Sequence, residues 1–98
     1  MTNPDIQRIA YHYGAIRQFD KLMRECIELA DAVNHYTEGK CDERDVFDEI
    51  ADVEIMLEQA VYLLSEDDGT REIIDAREIV DSIKEKKIAR QIRRIEWE

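Results

Sequence analysis

The stretch Val46-Phe-Asp-Glu49-Ile-Ala-Asp52-Val-Glu-Ile-Met56-Leu-Glu-Gln-Ala60-Val-Tyr-Leu-Leu64 decides the class of fold. Wound at about 100° per residue, it gathers Val46, Ile50, Val53, Met56, Leu57, Ala60 and Leu64 into one sector, the mark of a helix with an apolar face. Glu49 falls inside that sector and Asp52 on its flank. A weaker apolar stripe, Ala51, Ile55 and Tyr62, runs along the opposite side and suits a contact between subunits.

Working outward, the preceding stretch has the same period. Phe19, Leu22, Met23, Cys26, Leu29, Ala30 and Val33 form its apolar face; Glu25 borders it, Glu28 follows one turn along, and Gln18 and Lys21 share the stripe. Residues three apart on a helix are surface neighbours, so Glu25-x-x-Glu28 and Glu49-x-x-Asp52 can each aim two carboxylates at one spot. Burying an unpaired carboxylate costs several kcal/mol. Four near a core must therefore be protonated, paired with bases or bound to a cation, and Lys21 alone cannot offset them. A hard divalent cation with oxygen ligands is the natural solution.

Breakers divide the rest of the chain. Pro4 suits a helix start, and apolar residues recur at a helical period from Ile6 to Val33, with Gly14 marking a bend or a break. Thr37 to Arg44 is a connection, a helix spans about Glu43 to Ser65 until Glu66-Asp-Asp-Gly69 ends it, and another spans about Arg71 to Glu96. No stretch alternates as a strand would. The class is all-α, an antiparallel bundle of three helices, or four if Gly14 separates a short first one.

At 98 residues this reads as one domain over 1–98, near the size where a single core is marginal, so an oligomer is expected. Apolar residues at 44% and charged residues at 39% suit amphipathic helices and exclude a disordered chain. A net charge of −10 argues against a nucleic acid polymer as partner, though not against a nucleotide, since a bound cation reverses the local sign. The last segment is basic through Lys84, Lys86, Lys87, Arg90, Arg93 and Arg94; such a run is ordinarily a solvated face, with phosphate contact as the sharper reading. Cys26 and Cys41 form no C-x-x-C, and Cys26 reads as a small buried hydrophobe, consistent with a reducing cytoplasm. With no signal peptide and no run near about 20 apolar residues, neither export nor a membrane is expected.

The order E-x-x-E, a turn-around with twenty residues between Glu28 and Glu49, then E-x-x-D, resembles the all-α nucleoside triphosphate pyrophosphohydrolases of the MazG-like superfamily. Glu25-Cys-Ile-Glu-Leu-Ala-Asp-Ala is similar to its first motif. Asp48-Glu-Ile-Ala-Asp-Val-Glu-Ile-Met-Leu-Glu-Gln is similar to its second, as in short phage and prophage members. The resemblance implies Mg²⁺-dependent (or Mn²⁺-dependent) hydrolysis between the α- and β-phosphates, giving a monophosphate and pyrophosphate, by a homodimer or homotetramer engaged in nucleotide-pool housecleaning. By position Glu25, Glu28, Glu49 and Asp52 take the metal-binding and catalytic roles, with Glu25 the candidate to orient or deprotonate the attacking water. Gln18, Lys21, Lys87 and Arg90 are candidate substrate contacts, although each is equally read as an ordinary surface polar residue. Two departures stand out: Arg24 occupies a position often acidic in the family, and Ala89 one where short members often carry asparagine. His12, Tyr13, Tyr36 and Trp97 can stack on a base, although packing or a chain-end position is the simpler reading.

Other classes compete. A helical binding module could keep the fold and the cation without turnover, acting as a nucleotide sensor or protein partner. A di-iron bundle needs Glu-x-x-His on two helices, whereas Ile9 and Ala32 stand three before His12 and His35. A purely structural bundle leaves the inward Glu49 unexplained.

Overall fold

The computed structural model describes residues 3–66 and 75–98, and of Glu66 only the backbone. Those residues form four helices and no strand: α1 Pro4–Tyr13, α2 Ala15–Thr37, α3 Glu43–Glu66 and α4 Ala76–Trp97. The expected stop signal at Asp67–Gly69, and the start of the last helix at Arg71, lie outside the described residues. None of the described helices is long and apolar enough to cross a membrane.

Each helix end has a local cause. Asn3 Oδ1 accepts a hydrogen bond from Asp5 N at 2.8 Å, and Pro4 follows at the first helical position, where its missing N–H costs nothing. Gly14 is the break: at φ 86°, ψ 163° it is both the last cap of α1 and the first of α2, a conformation essentially closed to other residues. Of the two sequence readings, the four-helix one holds. α2 closes with Lys40 N donating to His35 O at 2.8 Å and Gly39 N donating to Tyr36 O at 3.0 Å, a Schellman motif with Gly39 at φ 75°. Asp42 caps α3 by accepting from Arg44 N at 3.0 Å, and Cys41 Sγ, 3.7 Å from Ala32 O, ties the connection back to α2. Asp75 caps α4 by accepting from Arg77 N and Glu78 N.

The chain falls into two compact units, Met1–Leu63 and Leu64–Glu98. In the first, α1 buries Ile6 and Ala10, while α3 buries Val53, Met56 and Ala60. Two amides, Gln18 of α2 and Gln59 of α3, are buried with them. The second unit holds α4, none of whose side chains is buried. Ile79 and Ile83 share one side of α4, whereas Ile88, Ile92 and Ile95 lie on the other, so its apolar residues make no continuous stripe.

The wheel drew too wide a core. Of the sector read on α3, only the edge through Val53, Met56 and Ala60 is buried, and Ile50, Leu57 and Leu64 stay exposed. On α2 the same is true of Met23 and Val33, and Cys26 is exposed rather than buried. The physical reason is size: a unit of so few helices has too few side chains of its own to cover both edges of each apolar face.

Candidate functional site

α2 and α3 run antiparallel in matched register. Gln18 meets Gln59, Glu25 meets Asp52, and Glu28 meets Glu49, so that each step of seven, then three, along α2 is answered by an equal step back along α3. Apolar period puts these helices side by side; the polar residues that share their inner edges then face one another. Carboxylate oxygens of Glu25, Glu49 and Asp52 lie within 4.8 Å of one another. Glu28 is outside that closest group but near enough to act on both Glu25 and Glu49.

Burial separates the four. Glu25 and Glu49 are half-buried, whereas Glu28 and Asp52 are exposed. Glu25 Oε2 and Glu49 Oε2 are shut off from solvent and have no hydrogen-bond partner, an arrangement native proteins rarely leave unexplained. Desolvation raises the Glu25 carboxyl first, followed by the charge of Glu28, a hydrogen bond to Glu28 that only a protonated carboxyl can make, and the charges of Asp52 and Glu49. Glu49 is likewise raised by desolvation and then by Glu28, Asp52, Asp48 and Asp45. Two orphaned oxygens and a third carboxylate that repel one another at this spacing fit a hard divalent cation, which would satisfy the oxygens and remove the repulsion together. Glu25, Glu49 and Asp52 are the residues able to hold it, with Glu28 in reserve.

The acids stand between two openings. On one side a cleft of about 190 Å³ is lined by Lys21, Glu25 and Asp52, with Tyr13 and Ile9 of α1, Ile55 and Met56 of α3, and the two buried amides. On the other a groove of about 330 Å³ runs past Glu28, Asp31, His35, Cys41, Asp45, Asp48 and Glu49. Burial raises the Cys41 thiol, and Asp45 and then Asp42 raise it further, so this groove offers an inert thiol rather than a nucleophile.

Lys21 is exposed at the first cleft, where an ammonium can meet an anion. Gln18 lines the same cleft but is buried and donates from Nε2 to Gln59 Oε1 at 2.7 Å. Lys87 and Arg90 are exposed on α4, in the second unit. Arg24 pairs with Asp20 at 3.1 Å on the outer surface of α2, leaving the acid cluster undisturbed. Tyr13 reaches the cleft, and its ring packs edge-on against His12 at 4.7 Å. Ile55, read as part of a subunit contact, forms cleft wall. Gln59 was missed altogether; its signal was its place seven residues after Asp52, on the same face. Compared with known proteins, the chain matches no protein family, no curated protein and no solved structure.

Proposed function

We propose that this chain is a MazG-like nucleoside triphosphate pyrophosphohydrolase, similar to the short phage and prophage members, that cleaves the α-β phosphoanhydride to a monophosphate and pyrophosphate with Mg²⁺ or Mn²⁺. One observation carries the reading: the carboxylates of two facing helices converge within 4.8 Å, with two buried, unpartnered oxygens, beside a cleft that also holds a lysine. When bound, the cation would offset phosphate charge and make a water easier to deprotonate. The protein's own part is positional. Glu25, Glu49 and Asp52, with Glu28 beside them, hold the cation. Glu25, half-buried beside the other carboxylates, orients or deprotonates the attacking water. Lys21 receives phosphate at the cleft, and Gln18 lines the same cleft. The exposed apolar edges of α2 and α3 support a homodimer or homotetramer.

A panel of canonical and modified triphosphates with Mg²⁺, read separately for pyrophosphate and phosphate, tests the chemistry. The expected products are pyrophosphate and a monophosphate. Release of orthophosphate alone sinks α-β cleavage, and tight nucleotide binding without turnover across the panel replaces it with a sensor or partner-binding module.

A further inference from the structure

Gln59 is the most deeply buried large side chain of the described residues, 1% exposed, and Gln18 is 5% exposed. Buried amides need partners, and these two have little: Gln18 Nε2 donates to Gln59 Oε1 at 2.7 Å, and Gln59 Nε2 donates to Met56 Sδ at 3.5 Å. A thioether is a poor acceptor. Two primary amides carry four N–H groups between them, so much of the pair's capacity goes unused inside the protein.

The pair lines the cleft that Lys21, Glu25 and Asp52 also line. Its other walls are Ile9, Tyr13, Ile55 and Met56, three apolar side chains and an aromatic ring. Apolar walls with a few convergent polar groups are how proteins hold flat heterocycles. At about 190 Å³ the cleft is smaller than the roughly 300 to 1,000 Å³ of a drug-sized site. It takes a ring, not a whole nucleotide. Gln18 lies seven residues before Glu25 and Gln59 seven after Asp52, about two turns, or roughly 10 Å at 1.5 Å per residue, from the acids. That is the order of separation between a nucleobase and the phosphates of its own nucleotide.

We propose that the Gln18–Gln59 pair is the specificity element of the site, reading the hydrogen-bonding edge of a nucleobase held in the cleft, with the weak Gln59–Met56 bond exchanged for a bond to the base. The assignment rests on the triphosphate reading above. It has a test that does not depend on catalysis: titration of the intact protein with uridine, cytidine, adenosine and guanosine at millimolar concentration, following the side-chain amide resonances of Gln18 and Gln59 by NMR. At least one nucleoside should move both resonances, with or without Mg²⁺. In parallel, Gln59→Met and Gln18→Met, close in volume, should narrow the spread of kcat/KM between best and worst base by roughly tenfold while leaving Mg²⁺-induced stabilisation intact. A merely structural pair would lower stability, and with it kcat/KM for every substrate alike, leaving the spread unchanged. Amide resonances unmoved by all four nucleosides, or an unchanged base preference in both variants, overturns the proposal. Nucleoside binding in a protein that hydrolyses no triphosphate keeps the base pocket and rejects the enzyme.

Discussion

At Glu49, burial and four acidic neighbours push in the same direction, and at Glu25 burial and three do. A carboxyl raised in the folded state binds its proton more tightly than in the unfolded chain, so stability falls as pH rises through the interval between the ordinary and the raised value. The metal-free protein should therefore melt at a higher temperature near pH 5 than at neutral pH, measured by thermal denaturation in a chelator; a flat profile would count against the cluster. Mg²⁺ should reverse the order, raising the melting temperature more at neutral pH, because its ligands must lose their protons first. Glu49→Gln follows from the same electrostatics: it should stabilise the metal-free protein, abolish the Mg²⁺ increment and lower kcat by at least about a hundredfold. Full activity in that variant would remove Glu49 from the site. These inward acids were legible in the sequence because a wheel needs only one helix to place Glu49 among Val53 and Met56. Gln59 was not, because its meaning lies in a partner 41 residues away on another helix.

Among the elements, the two glycines around α2 make different demands. Gly14 holds φ 86°, ψ 163°, which β-carbon-bearing residues avoid, and open space around it means that the backbone alone sets the cost. Gly14→Ala and Gly14→Asn should each destabilise by about 1 to 3 kcal/mol. Gly39 closes a Schellman motif, where asparagine is the common substitute, so Gly39→Asn should cost less than about 1 kcal/mol; denaturant midpoints compare them. Sequence alone left Gly14 as a bend or a break, since a glycine's permissiveness does not announce which conformation it takes. The failure at Cys26 has another origin. Periodicity finds an apolar face but not which of its edges one chain covers.

For the whole molecule, the exposed Met23, Cys26, Ile27, Ile50 and Leu57 make association the expected state. Cys26 reports on it: in dilute solution a thiol reagent should label it quickly, and its rate should fall as concentration drives assembly. Cys41, whose Sγ reaches toward Ala32 O and whose thiol is raised, should react slowly throughout. Labelling of Cys26 that is fast at every concentration would leave its face of α2 outside the subunit contact. The equal stepping of α2 and α3 has a consequence for how this sequence can change. One residue inserted between Gln18 and Glu25 turns everything beyond it by about 100° and shifts it 1.5 Å, so the amides or the acids would lose their opposite numbers. A residue inserted at Gly39 to Asp42 lengthens only the link. Insertions in the link should leave Mg²⁺-induced stabilisation intact, and a single insertion between Glu25 and Glu28 or between Glu49 and Asp52 should abolish it. Length can drift in the turn, whereas within the helices this site admits exchange of residues but not their addition or loss.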